Sequence, residues 1–387
     1  MRILFAADVL PDPNSGAAGT EYQTIQALRK LGHDVDEIWA ADLPHKIKHG
    51  NLHYLLELPK GYRDVINRRW EKVNYDVIHA NQGHAYLAAK EHLRRRRPGI
   101  FVCRSHGLDD HMEKVLKSWR KKLGIRNRGF MKSVPGKIVD VLLDRHIKLS
   151  AQYVSGFIVS SSLDRQFLLE YHNMPPERVA CIHQAPSELF IRSPAVGLNE
   201  QRLKKILYIG GVSYWKGPHT VASAANGFLM RNRNLRLTWV CSERDHQTAK
   251  QMLHPDAVAR TDIIGWTSQD KLCTLYDEHG IFIYPSLFDG FGKVFLEAMS
   301  RGLCVITTRT GGMRDIIQSG LNGFLVDFND ASAIINKIGF LHAHHAEACE
   351  ISKAARTTAM QYTWERVARE TVEFYRSVME LPVRRVN

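Results

Sequence analysis

Cysteine pairs, membrane-length apolar runs and low-complexity tracts are all missing from this chain. Its six cysteines (Cys103, Cys181, Cys241, Cys273, Cys304, Cys349) are scattered, and no Cys-x-x-Cys occurs. That excludes the usual zinc-site spacings and a disulfide scaffold, and it points to a reducing compartment. No apolar run approaches the ~20 residues that cross a bilayer. The opening "MRILFAADVLP" has one basic residue and an apolar stretch broken by Asp8, with no small-residue cleavage site after it. It reads as a first strand rather than a signal peptide. No RNP-like aromatic strand or zinc-finger spacing favours nucleic acid, so none is expected as a partner. A soluble, cytoplasmic protein is the expectation.

Negative charge is also short, with 40 Asp and Glu against 53 Lys and Arg, a formal charge of +13. The excess is uneven. Arg94–Arg97 is a run of four, and "KVLKSWRKKLGIRNRGFMKSVPGK" (114–137) carries nine basic residues and no acid. Leu116, Trp119, Leu123, Phe130 and Met131 interleave those charges. Three readings stand open: an amphipathic face for an anionic membrane, a nucleic-acid patch, or a solvated face. If the first holds, the protein is peripheral on the inner face of a membrane.

What is present is an ordinary globular composition, 44% hydrophobic and 24% charged, over 387 residues. That length exceeds what one core usually serves, so two domains are expected. "ILFAA" (3–7) suits a strand, "PDPNSGAAGT" a loop, "EYQTIQALRKL" (21–31) a helix closed by Gly32, and "DVDEIWA" a second strand. Strand, glycine loop, helix, strand is a βαβ unit and implies a parallel sheet. Further strands fit at 76–80, 100–105 and 156–161. The pattern restarts with "KILYIGGVSYWKG" (205–217) and the helix "PHTVASAANGFLMR", with Pro218 in its first turn. Strands then fit at 235–241, 262–266, 281–286, 304–308 and 323–326. Each is short and continuously apolar, as when helices cover both faces of a sheet.

The fold class is therefore α/β: two Rossmann-like domains with parallel sheets facing across a cleft. The first is expected over 1–190 and the second over 200–362, joined by the aperiodic segment 184–202. The last helix, within 363–387, is expected to pack back on the first domain.

Chemistry concentrates in "SLFDGFGKVFLEAMSRG" (286–302). Gly290 and Gly292 let backbone N–H groups approach a phosphate at a helix start. Glu297, a turn inside, is placed to accept two hydrogen bonds from a ribose diol. The bland alternative makes Asp289 a helix N-cap and Glu297 a solvated residue.

"PSLFDGFGKVFLEAMSRGLCVITTRTGGMRDIIQSGLNGFLV" resembles the donor-site block of the retaining glycosyltransferases of family 4, which have the GT-B fold. The likeness extends to "YDVIHAN", "SHG" and "LYIGGVSYWKG". It implies a nucleotide diphosphate sugar as donor, no metal and no other cofactor, and transfer of a hexosyl unit to an acceptor hydroxyl. A glycan or lipid-linked acceptor would fit the basic segment, in cell-surface glycan or glycolipid synthesis. Glu297 would hold the ribose, Asp289 would face the sugar, and Gly290-Phe291-Gly292 would touch it through the backbone. Aspartate stands at 289 where the family has glutamate. Lys216 matches the family's phosphate-binding lysine, whereas Gly211 stands where its arginine would be; Lys293, Arg309 or Arg314 are candidates to supply the missing charge, Lys293 first. Gly16 and Gly19 would line the donor diphosphate, and His106 would assist at the reaction centre. Asn81 and His84 would meet the acceptor, while His79 reads as structural. Two rival readings are a sugar-nucleotide epimerase on the same fold and a degraded relative that only binds.

Overall fold

The computed structural model describes residues 1–13, 15–125 and 134–384, which fall into two compact units. Unit 1 comprises Met1–Gln184 together with Trp364 onward, and unit 2 comprises Ala185–Thr363. Among the described residues no helix is long and apolar enough to cross a membrane.

Unit 1 is built on six parallel strands: β1 (Arg2–Ala6), β2 (Asp34–Ile38), β3 (Val77–Asn81), β4 (Ile100–Ser105), β5 (Gly156–Val159) and β6 (Val179–Cys181). Their order is β2-β1-β3-β4-β5-β6, so the direction of winding reverses between β1 and β3. Residues 77–81 and 100–105 are buried throughout, the signature of a sheet covered on both faces. Three-residue β6 has too few positions to show a period, and the sequence reading does not place it.

The first helix, α1 (Ala17–Lys30), begins four residues before the expected Glu21. Small residues there do not form an extended loop: Gly16 is the N-cap, and Gly19 lies inside the first turn. A Cβ at Gly19 would come 2.9 Å from the Pro13 carbonyl oxygen, so the position serves close passage of the preceding segment. The late helix Trp364–Glu380 belongs to unit 1 and packs on α1 and β4. Its Tyr375 hydroxyl bonds His79 Nδ1 at 2.5 Å.

Unit 2 carries β7 (Lys205–Ile209), β8 (Arg236–Val240), β9 (Thr261–Ile264), β10 (Ile281–Tyr284), β11 (Cys304–Thr308) and β12 (Phe324–Val326). Their order is β12-β11-β10-β7-β8-β9, again all parallel. Winding reverses between β7 and β10, and ligands of open α/β sheets bind outside the carboxyl ends at such a point. The segment 184–202, expected as a linker, contains the helices Glu188–Arg192 and Glu200–Leu203. Phe190 is fully buried there, and the Arg301 guanidinium, 0% exposed, donates to the carbonyls of Phe190, Ser193 and Pro194 and pairs with Asp277. Five residues of apolar pattern were too few to reveal that helix.

Candidate active site

The switch point of unit 2 brings two loops together. After β7 the chain turns through Tyr214–Lys216, and Gly217 starts the helix Pro218–Arg231. After β10 it runs through Pro285–Gly292 into the helix Lys293–Ser300. The Trp215 carbonyl accepts from Leu287 N–H at 2.7 Å and the Ser286 hydroxyl at 3.0 Å, tying the loops to each other. The Tyr208 hydroxyl, buried in β7, fixes the Lys216 carbonyl at 3.0 Å.

Lys216, Tyr284 and Asp289 close a triangle. Lys216 Nζ donates to Asp289 Oδ2 at 2.7 Å and to the Tyr284 hydroxyl at 2.9 Å, and that hydroxyl donates to Asp289 Oδ2 at 2.7 Å. Burial alone would depress the Lys216 ammonium; the Asp289 carboxylate, then Tyr284, outweighs it and holds the lysine charged. Burial, seconded by Asp289, raises Tyr284 and keeps it a neutral donor. Asp289 is therefore a partner of Lys216 and not the N-cap of the following helix. The cap position is Gly292, at φ 84°, which an L side chain adopts only with strain. The Gly-Gly at 311–312 packs under the turn, with Gly312 N–H donating to the Phe291 carbonyl at 3.0 Å. Phe291 is buried, its ring packed against Phe295.

Glu297 lies just past the first turn of Lys293–Ser300 and is 4% exposed, so it is not a solvated residue. Tyr276 donates its hydroxyl to Oε2 at 3.2 Å. Burial raises the Glu297 carboxyl, with Lys293 four residues earlier and Tyr276 pulling the other way. Lys293, the opening residue of the helix, thus acts on Glu297. At Gly211, where a second cation was missing, a Cβ would stand 3.2 Å from Asp245 Oδ2, so an acid faces that position.

Unit 1 places His106 just after β4, 9% exposed in its side chain. Its Nε2 bonds Glu21 Oε1 at 2.5 Å, and the Gln184 amide donates to Nδ1 at 3.2 Å. That pattern puts the proton on Nε2, toward the carboxylate. Both ring nitrogens are thereby engaged within the unit, and one contact must yield before His106 bonds a ligand. Burial pushes the Glu21 carboxyl up, but His106 and then Arg104 more than reverse it, and the net direction is down. Glu21 Oε2 and Arg104 Nε and Nη2 are buried with no partner among the described residues, so this is a polar interior with unused capacity.

Asn81 ends β3 at 1% exposure, its Oδ1 buried without a partner among the described residues. His84 stacks on Tyr54 and shares a 3.0 Å contact with His146, and burial, then His53, lowers it to about 4. His79 stacks on Phe5 at 4.2 Å and is lowered by burial to about 3. It is a neutral core residue.

In the basic segment, Lys114, Lys117, Lys121 and Lys122 of the helix Asp109–Lys122 are exposed, but Leu116 is buried in the unit and Lys114 lies over the Tyr171 ring at 4.4 Å. Residues 126–133 of that segment, including Arg126, Arg128, Phe130, Met131 and Lys132, lie outside the described residues.

The sequence reading missed Glu21, Gln184, Tyr276 and Tyr284. Tyr284 and Tyr276 look like apolar-pattern residues of a strand and a helix, and nothing local marks their hydroxyls. Glu21 carried one usable signal, an acid just inside the first helix after a small-residue turn.

Comparison with known proteins bears on both units. The family model described as "Glycosyltransferase Family 4" matches residues 15–185, and "Glycosyl transferases group 1" matches 192–358. The D-inositol 3-phosphate glycosyltransferase of Corynebacterium urealyticum is 27% identical over 46% of this chain and 44% of its own. Sucrose synthase of Acidithiobacillus caldus is 44% identical over 24% of this chain and 12% of its own. The chain thus spans less than half the length of these curated relatives. Spore coat protein SA of Bacillus subtilis is 21% identical over 96% of this chain and 98% of its own. Among solved structures, sucrose-phosphate synthase from Thermosynechococcus elongatus has a TM-score of 0.73 at 19% identity, covering 97% of this chain and 98% of its own. HepE of Anabaena, in complex with UDP-glucose, has a TM-score of 0.68 at 18% identity, covering 96% and 98%.

Proposed function

The chain belongs to the group 1, family 4 glycosyltransferases and has their GT-B fold, and from that premise we propose that it transfers a hexosyl unit from a nucleoside diphosphate sugar to an acceptor hydroxyl. The observation that carries this reading is the Lys216–Tyr284–Asp289 triangle at the switch point of unit 2, beside a glycine-capped helix start with Glu297 buried a turn further on. A cation, backbone donors and a carboxylate in that sequence match a diphosphate followed by a ribose diol.

In this proposal Lys216 neutralises charge on the leaving diphosphate as the bond from the sugar C1 breaks. Lys293 adds a second positive charge where Gly211 offers none. The acceptor oxygen bonds C1 from the face the leaving group departs, so configuration is retained, and its proton passes to the leaving phosphate oxygen. Asp289 accepts a sugar hydroxyl while anchoring Lys216, and Glu297 accepts the ribose hydroxyls. The residues named suffice for this chemistry without a metal. In this reading His106, held by Glu21, assists at the reaction centre, and Asn81 and His84 meet the acceptor. A glycan or lipid-linked acceptor, met at an anionic membrane surface through 114–137, fits the basic helix Asp109–Lys122.

Unit 2's site predicts stabilisation by ligand. A thermal-shift panel of nucleoside diphosphates and their hexoses should find one base that raises Tm by several degrees, with slow release of that diphosphate from its hexose. No shift with any of them would overturn the proposal.

A further inference from the structure

The Arg94–Arg97 run is not used by the chemistry above, and the fold gives it company. Arg96, Arg97, Arg178 and Arg384 line one cavity of about 480 Å³ in unit 1, together with His92 and Asp76. Residues 76, 99, 155 and 178 immediately precede β3, β4, β5 and β6 or the turn that leads into it. The cavity therefore sits at the amino ends of the strands, whereas His106 follows the carboxyl end of β4.

Asp76 is the one acid in the lining beside these four arginines, and its Oδ2 already accepts the Arg2 backbone N–H at 2.7 Å; Glu91 and Glu71 act on Arg97 from outside the lining. None of the four arginines forms an ion pair with a carboxylate among the described residues. They are held instead by neutral oxygens. Arg178 donates to the Ser155 carbonyl at 2.8 Å and the Pro382 carbonyl at 2.6 Å, Arg384 donates to the Ala151 and Val154 carbonyls, and Arg97 donates to Asn67 Oδ1 at 2.7 Å. Glu91, the acid closest in sequence to Arg97, is paired with Arg95. Burial, then the charge of Arg178, lowers Arg384. His92 Nε2 contacts the Gly99 carbonyl at 3.3 Å, and Nδ1 is a buried nitrogen with no partner among the described residues.

Arg96 has φ 48°, in the left-handed region where glycine or asparagine is the inexpensive choice and other residues carry strain of about 1 kcal/mol or more. Arg96 closes the helix Tyr86–Arg94, with the Arg96 N–H donating to the Leu93 carbonyl at 3.1 Å and the Arg97 N–H to the His92 carbonyl at 3.2 Å, and that helix end sets the direction in which the arginine run leaves it. Met379 and Val383, both exposed, complete the rim with apolar surface.

We propose that this cavity is a second anion site, which binds a phosphate group carried by a ligand with an apolar portion, apart from the donor site of unit 2. The guanidinium set supplies fork-like donors to phosphate oxygens. Met379 and Val383 meet the remainder of the ligand.

The test uses the full chain and the double variant Arg96→Gly/Arg97→Gln. Arg96→Gly releases the left-handed strain, and Arg97→Gln keeps a donor for Asn67, so the variant should match wild type in Tm without ligand. Both proteins are titrated with inorganic pyrophosphate by calorimetry and floated with phosphatidylcholine vesicles containing phosphatidic acid. Donor-site binding contributes equally to both proteins, so only the difference counts. A loss of tenfold or more in a second pyrophosphate site supports a free phosphorylated ligand. Loss of vesicle binding with unchanged pyrophosphate binding supports the same phosphate chemistry in a lipid headgroup. If the variant matches wild type in both arms, or wild type shows neither binding, the proposal is overturned.

Discussion

Replacing Glu297 with glutamine should move stability and affinity in opposite directions. Burial raises this carboxyl, and the pull of Lys293 and Tyr276 does not cancel it. A carboxyl raised above its unfolded value of ~4.3 weakens the fold once pH exceeds that value, because the unfolded chain releases the proton more easily. The penalty is absent in acid and present at neutral pH. Glutamine removes it and keeps an oxygen for the Tyr276 hydroxyl, so the empty protein should melt higher at pH 7, where ~1 kcal/mol corresponds to about 2–4 °C for a unit of this size. Binding should suffer. Hydrogen bonds to a charged acceptor exceed neutral ones by about 1 kcal/mol. Two bonds from a ribose diol therefore lose about 2 kcal/mol, or about 30-fold in Kd for the nucleoside diphosphate. Thermal unfolding and calorimetry on one preparation read both quantities. A lower Tm for the empty variant, or a Kd within about threefold of wild type, would refute the reasoning.

Two further expectations follow from the other charged groups. Lys216→Met should lower kcat/KM by about 10²–10³, the range for removing one group that stabilises developing negative charge, while Asp289→Asn, which keeps the Tyr284 bond, should cost less; steady-state rates with Lys216→Met within threefold of wild type would contradict the assignment. Glu21 is lowered in the fold, so its ionised form contributes stability above about pH 4.3 that is lost as pH falls through the lower folded value. The gap in Tm between wild type and Glu21→Gln should therefore narrow on acidification from pH 6 to pH 3, and a constant gap would show that the charge on Glu21 does not matter.

How much of this was readable in the sequence depended on range. Strands 100–105 and 304–308 and the helix 218–231 have the bounds expected, because apolar runs and Pro218 report on neighbours a few residues away. Lys216, Asp289 and Glu297 could be singled out by motif, but their bonding could not. That Lys216 holds Asp289 follows from β7 lying beside β10, a pairing across more than 70 positions that no local pattern encodes. Glu21 reaches His106 over 85 positions for the same reason, through the places of β1 and β4 in one sheet. Gly19 misled because small residues signal a loop and a tightly packed helix start equally well. Arg178 stands alone and Arg384 belongs to a pair near the end of the sequence, far from the 94–97 run in both cases, and only the closure of unit 1 brings them to Arg96.

The late return of the chain to unit 1 has a consequence for how the molecule is made. The His79–Tyr375 bond joins residues on opposite sides of unit 2 in the chain. As the polypeptide leaves the ribosome, unit 2 has every residue it needs before unit 1 does. At roughly 5–20 residues per second, the ~180 residues of unit 2 delay the final helix of unit 1 by on the order of ten seconds or more. During that interval the face of α1 that receives the helix Trp364–Glu380 stands uncovered, an exposure a holding chaperone would be suited to shield. A released chain that ends at Thr363 should resist protease in unit 2 and be cut readily in unit 1.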